Sequence, residues 1–129
     1  MKIFLKNILL LNGLVNIGVG IALILIPIQM ADLLGYPELP AYTSFIIGGW
    51  GIAALSFGIG RVSASRDQKK FRLWAFLGLV EGAILTVFCL KYWLSGTLVF
   101  LQVSVPLLVA LIFGSAYAIS YPSWSKMKY

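Results

Sequence analysis

The sequence contains no histidine and one cysteine among its 129 residues. Without histidine, bis-histidine haem ligation and most zinc, copper and non-haem iron sites are excluded. A single thiol, Cys89, cannot form an intramolecular disulfide or act as a dithiol redox pair. We therefore expect neither a metal site nor a cofactor.

Charge is also scarce, since only 11% of the residues are charged and four are acidic. A soluble domain has about 25% charged residues. Here 60% of the residues are hydrophobic, and the mean hydropathy is +0.96. This composition predicts an integral membrane protein with one domain over residues 1–129.

Four apolar stretches are long enough to cross a hydrocarbon core about 30 Å thick. The predicted fold class is therefore all-α, a bundle of four transmembrane helices. A basic cytoplasmic loop is expected at residues 61–70, and Ser95-Gly96 predicts a tight turn between the last two helices. The four helices are predicted at about residues 4–28, 42–59, 71–94 and 97–120.

The first predicted helix also resembles a signal peptide, since Lys2 and Lys6 precede its apolar run. Asn12 and Asn16 interrupt that run and no small-x-small cleavage motif follows it, which favours an uncleaved helix. Asn12, Asn16 and Gly20 are four residues apart and share one helix face. We expect that face to contact protein rather than lipid.

The basic residues cluster on one side of the predicted membrane. Only Lys91 lies on the other side, which instead holds Asp32 and Glu38. The positive-inside rule then places both termini in the cytoplasm. Despite a net charge of +6, this distribution favours membrane lipid as a partner and argues against nucleic acid. The cations on the cytoplasmic side are Lys2, Lys6, Arg61, Arg66, Lys69, Lys70, Arg72, Lys126 and Lys128.

Small residues predict where helices pack, because they let two backbones approach closely. Such stripes also suit a partner helix, so we expect a homo-oligomer or a subunit of a membrane complex. Trp50 lies among the glycines of the second helix, where it either fills the space they leave or contacts a ligand. The glycines expected to pack are Gly48, Gly49, Gly51, Gly58, Gly78, Gly82 and Gly114.

Glu81 is the most deeply placed charge in this scheme. It lies ten residues beyond Phe71, or about 15 Å into the hydrocarbon core. Lys91 is about 15 Å further along the same helix, too far to pair with it. An acid at this depth is costly and marks a functional hypothesis. Without a nearby cation, burial would favour the neutral carboxyl.

Three interpretations of Glu81 are open. It could hydrogen-bond Asn12 or Asn16 and hold the third helix against the first. It could contact a ligand in a cavity shared with Asn16, Trp50 and Gln102. It could also carry a proton in transport. Glu81→Gln should be nearly silent in the first case and abolish function in the third. No nucleophile–base pair or phosphate loop points to an enzyme.

A weak internal repeat is also present. The residues GLVN at 13–16 match GLVE at 78–81 at an offset of 65, and the same offset brings Gly49 onto Gly114. If the match reflects duplication rather than chance, two tandem helical hairpins are related by an axis along the membrane normal. Asn16 and Glu81 would then be equivalent positions.

The asparagine-rich and glycine-rich first helix ending in Pro27, the segment Leu34-Gly35-Tyr36 and the glycine-rich second helix leading to Arg61 resemble the DoxX-like group of small bacterial membrane proteins. This resemblance implies a four-helix protein of the bacterial inner membrane, and some such proteins are associated with quinone-linked oxidoreductases. The small multidrug transporters have a similar length, but their essential glutamate lies in the first helix.

From this resemblance and the residues together we expect a non-enzymatic accessory subunit or a protein that binds a small ligand, lipid or quinone. A small proton-linked transporter using Glu81 is the alternative.

Overall fold

The computed structural model describes residues 1–127, and that part of the chain is helical without strands. Four of its helices are long and apolar enough to cross a membrane, as the composition predicted. Lys128, which the charge count includes, lies outside the described residues. The α-helices are α1 (Lys2–Leu25), α2 (Pro27–Leu33), α3 (Thr43–Ala64), α4 (Phe71–Leu94), α5 (Phe100–Ile119) and α6 (Tyr121–Trp124).

Proline ends the first long helix earlier than predicted. The expected helix ran to residue 28, whereas α1 ends at Leu25 and α2 begins at Pro27. Proline has no N–H to donate and its ring clashes with the preceding turn, but it fits the first position of a new helix. Ile26 between them has non-helical dihedrals, with φ −133° and ψ 51°.

The second long helix extends further than predicted. It was expected to end at residue 59, whereas α3 continues to Ala64, so Arg61 belongs to a helix and not to the basic loop. The link to α4 is correspondingly short. It contains a 3₁₀ turn, Gln68–Lys70, capped by the Asp67 side chain, which accepts from the Lys69 N–H.

The third long helix, α4, has the predicted bounds, and α5 begins three residues later than expected. The predicted turn between them is present. Its Gly96 has φ +74°, a conformation that side chains with a Cβ seldom adopt.

The four long helices pair into two hairpins. The first hairpin consists of α1 and α3, and the second consists of α4 and α5. In the first hairpin, glycines meet in two places. A Cβ on Gly58 would lie 2.7 Å from the Gly13 carbonyl oxygen, and one on Gly51 would lie 2.8 Å from the Gly20 carbonyl oxygen. Both pairs are spaced seven residues apart on each helix, so they lie on one seam.

Glycines also bring the two helices of the second hairpin close together. A Cβ on Gly82 would lie 2.8 Å from the Gly114 Cα, and Gly78 lies against the Tyr117 ring. Gly51, Gly58, Gly78, Gly82 and Gly114 therefore pack as expected. The tandem relation between the hairpins stays a prediction, since a Cβ on Gly49, the position matched to Gly114, would have no neighbouring atom within 4 Å.

Two of the glycines expected to pack do not. Gly48 and Gly49 have open space where a Cβ would lie, and Trp50 is 66% exposed. For Gly49 and Trp50 the reason is the direction of the α3 seam: Gly51 and Gly58 face α1, and Gly49 and Trp50 lie on the side that points away from it. Trp50 therefore fills no space between helices of this chain.

The two hairpins are joined mainly at one end of the molecule. An apolar cluster there combines the start of α1 and of α4 with the end of α5 and α6. At the opposite end, Cys89, Val103 and Leu107 form a smaller cluster that belongs to the second hairpin alone. The joining cluster consists of Leu5, Ile8, Leu9, Phe71, Ala75, Tyr117 and Trp124.

Candidate functional site between the two hairpins

Glu81 forms an ion pair with Arg61. The Arg61 Nη2 donates to the Glu81 Oε2 and so connects α3 with α4. The Arg61 side chain is 0% exposed, whereas the Glu81 side chain is 45% exposed. The guanidinium also lies over the Phe57 ring, 5.7 Å from its centre. The deep carboxylate is thus compensated by a buried cation.

This pair corrects the expectation that no cation lies near Glu81. Arg61 is three residues before the end of α3, about 4.5 Å from that end, and Glu81 is about 15 Å from the start of α4. The two side chains bridge the difference because glutamate on a helix points back towards its N-terminus, and arginine is long and flexible. A buried cation therefore lies beside the Glu81 carboxyl group, where none was expected.

Sequence reasoning missed Arg61 because it ended the second helix where hydropathy fell. The residues that follow Arg61 in the sequence argue against a helix end at residue 59. Arg61 is followed by Val62 and Ala64, without glycine or proline until well beyond the helix. Such residues continue a helix and predict no turn.

A buried hydrogen bond lies next to the ion pair. The Asn12 amide Nδ2 donates to the Tyr117 hydroxyl over 3.1 Å, and both residues are buried. Tyr117 is close enough to Arg61 and Glu81 to interact electrostatically with each. We call Asn12, Arg61, Glu81 and Tyr117 the polar cluster. Each of the four long helices contributes one of its members.

The expected hydrogen bond from Glu81 to Asn12 or Asn16 is not formed. Asn12 donates to Tyr117 instead. Asn16 is half-buried and makes no hydrogen bond within residues 1–127. Glu81 and Asn12 nevertheless contact the same space, so α1 and α4 do meet near the carboxylate.

That space is a small cavity of about 20 Å³ between the hairpins. A volume of about 10–15 Å³ is enough for one water molecule, so the cavity accommodates a single water-sized group. Two polar residues, Asn12 and Glu81, contact it, and the rest of its lining consists of apolar residues and glycines. Its lining residues are Asn12, Gly78, Glu81, Gly82, Leu85, Val109, Ala110, Phe113 and Gly114.

The polar cluster leaves several hydrogen-bonding positions open. Within the described residues, Arg61 Nε and Nη1 are buried without a partner. Glu81 accepts only from Arg61 there, through one of its two oxygens. A buried donor without a partner costs about 1–3 kcal/mol. The cluster therefore contains two buried donors that no described residue satisfies.

Gln102 lies at the opposite end from the polar cluster. Its Oε1 accepts from the Val99 N–H at the start of α5 over 3.0 Å, and its Nε2 donates to the Gly35 carbonyl over 3.1 Å. The Tyr36 hydroxyl donates to the Gln102 carbonyl over 3.2 Å. Burial raises the pKa of the Tyr36 phenol, and the nearby Cys89 raises it further.

Gln102 therefore attaches the loop after α2 to the second hairpin and does not line the cavity beside Glu81. The predicted cavity among Asn16, Trp50, Glu81 and Gln102 is not formed. The structure brings together Asn12 and Glu81 from the predicted residues and adds Arg61 and Tyr117 to them.

Comparison with protein-family models, with curated proteins and with solved structures gives no match for this chain.

Proposed function

We propose that this chain is a non-enzymatic multi-pass protein of the bacterial cytoplasmic membrane that holds a small membrane ligand, a lipid or a quinone, at the polar cluster. It does so alone, as a homo-oligomer or as the accessory subunit of a membrane complex. In this proposal both termini lie in the cytoplasm, since most of the basic residues are on the same side of the predicted membrane as the termini.

The observation that carries the proposal is the composition of the polar cluster. Four long apolar helices each supply one polar side chain to the same point. Polar groups inside a membrane are costly, and they occur mostly where they pair with one another or contact a ligand. Here the Arg61–Glu81 pair is partly accessible through Glu81, and a cavity lies beside it.

Native mass spectrometry of protein extracted gently from its own membrane tests this proposal. We expect a retained lipid or quinone mass, or a stoichiometric foreign subunit. The charge-balanced variant Arg61→Met/Glu81→Met should lose a retained ligand, whereas Asn16→Ala should keep it. Bare protein, without ligand or partner in any preparation, would contradict the proposal.

The orientation is tested separately by labelling single cysteines in a Cys89→Ala background. Glu38→Cys should react with an impermeant reagent in intact cells. Lys69→Cys should react only after the membrane is opened. The reverse pattern would overturn the proposed topology while leaving the polar cluster unaffected.

A proton-linked transporter is the second candidate, and the partial exposure of Glu81 favours it. Protonation of this carboxylate would release Arg61 and so loosen a contact between the two hairpins. Glu81→Gln alone is a poor test, because it leaves Arg61 without its counter-charge. Arg61→Met/Glu81→Met removes the carboxylate without that penalty, so unchanged proton-driven uptake by this variant in reconstituted vesicles would exclude a transporter that uses Glu81 as its proton carrier.

A further inference from the structure

We propose that the cavity beside Glu81 recognises a hydroxyl group of a membrane amphiphile, and so selects ligands that donate a hydrogen bond over ligands that only accept one. This inference rests on the proposed function and specifies its ligand class. It depends on which atoms of the polar cluster a ligand can reach.

The accessible polar group of the cluster is an acceptor. The Glu81 side chain is 45% exposed, and among the described residues only its Oε2 is engaged, with Arg61. A carboxylate has about four lone-pair positions, so several remain. A ligand that enters the cavity between the hairpins therefore encounters a carboxylate oxygen.

The donors of the cluster are buried. Arg61 has two nitrogens, Nε and Nη1, without a partner among the described residues, but its side chain is 0% exposed. Asn12 lines the cavity, but it is 4% exposed, and one of its two amide N–H groups donates to Tyr117. A ligand carbonyl thus faces a carboxylate and finds at most the second amide N–H of Asn12, a neutral donor, while a ligand hydroxyl finds a charged acceptor.

The volume of the cavity and the charges beside it restrict the class of ligand further. The cavity of about 20 Å³ holds a group as small as a hydroxyl, and Leu85, Val109 and Phe113 provide apolar walls for an attached carbon skeleton. An ammonium group would also donate, but Arg61 already compensates the Glu81 charge, so a cationic ligand would remain uncompensated in a medium of low dielectric constant. A neutral hydroxyl fits both constraints.

The experiment compares two kinds of membrane molecule that carry such a group, a glycerolipid with a free hydroxyl and a hydroquinone with an alkyl tail. Binding of two matched pairs distinguishes them. One pair is diacylglycerol and its methyl ether, and the other is a hydroquinone and the quinone with the same tail. The protein is held in phosphatidylcholine nanodiscs, whose lipid and headgroup lack a hydroxyl donor, and binding is followed by intrinsic tryptophan fluorescence.

We expect the hydroxyl-bearing member of at least one pair to bind about tenfold more tightly than its matched partner, since a hydrogen bond to a charged group is worth about that factor or more. The pair that shows the preference identifies the source of the hydroxyl. Asn16→Ala should keep the preference, and Arg61→Met/Glu81→Met should reduce it to about twofold or less.

Equal binding of both members in both pairs would overturn the inferred preference for a hydroxyl group. The proposal that the protein binds a membrane ligand would stand. Binding of neither pair would overturn the inference and the ligand-binding part of the proposed function together. Because the comparison of matched ligands is made on the unaltered protein, the result does not depend on how well any variant folds.

Discussion

The contacts within each hairpin differ in kind from the contacts between the hairpins. Within a hairpin, glycines bring two backbones together, as Gly13 and Gly58 do in the first and Gly82 and Gly114 in the second. Between the hairpins, side chains make the connection, through an apolar cluster and the Arg61–Glu81 pair. Close backbone packing is hard to alter, whereas a charged pair responds to protonation or to a ligand. We therefore expect each hairpin to be harder to disrupt than the junction between the two hairpins.

The largest expected effect comes from breaking the junction with Glu81→Gln. This change leaves the fully buried Arg61 without its counter-charge, which typically costs about 3–5 kcal/mol. Unfolding by dodecyl sulfate in bicelles measures the loss. Arg61→Met/Glu81→Met should recover most of it, and a loss below about 0.5 kcal/mol for Glu81→Gln would contradict the account.

The next effect concerns a contact within the first hairpin. In Gly58→Ala the new methyl group would lie 2.7 Å from the Gly13 carbonyl oxygen and 2.8 Å from the Ile17 backbone nitrogen. Backbone atoms cannot yield cheaply, so we expect a loss of about 1–3 kcal/mol in the same unfolding measurement. Wild-type stability in this variant would show that α1 and α3 are not packed as described.

Tyr117→Phe tests the hydrogen bond between Asn12 and Tyr117, the two uncharged members of the polar cluster. The change removes the hydroxyl that accepts from Asn12 and leaves the buried amide with an unpaired donor. We expect a loss of about 1 kcal/mol in unfolding free energy. Asn12→Leu/Tyr117→Phe, which removes both partners, should be more stable than Tyr117→Phe. The hydrogen bond is misassigned if the double variant is the less stable of the two.

The smallest effect is expected at Gly49, on the side of α3 that faces away from α1. Gly49→Ala adds a methyl group into open space, and alanine is a better helix former than glycine by about 1 kcal/mol. We expect no loss of stability in the monomer. If Gly49→Ala disrupts an oligomer seen by native mass spectrometry, this side of α3 contacts a second copy.

Much of the fold follows from local signals in the sequence. The bounds of α4 were predictable because Phe71 follows a charged link and Ser95-Gly96 ends the apolar run. The end of α3 was not predictable in this way. The cation Arg61 was assigned to an aqueous loop, whereas in the fold it pairs with Glu81, twenty residues later in the sequence. Hydropathy describes one residue at a time and does not include a partner on another helix.

The glycines show the same limit. Gly49 and Gly51 are two residues apart in one helix, and only Gly51 packs within the chain. Composition predicts that such a helix packs closely, but the side that does so depends on where α1 lies. Trp50 and Gln102 were assigned to a cavity for the same reason: the sequence did not show in which direction their side chains point. Glu81 was identified as the central residue because a deep acid is costly whatever surrounds it.

A double-mutant cycle on Arg61 and Glu81 tests the central claim most directly. The unfolding free energies of the unaltered protein, Arg61→Met, Glu81→Met and the double variant are measured under one condition in bicelles. If the pair joins the two hairpins, the effects of the single changes are far from additive, with a coupling of about 2 kcal/mol or more. Effects that add to within about 0.5 kcal/mol would show that the two charges do not interact and would contradict the account.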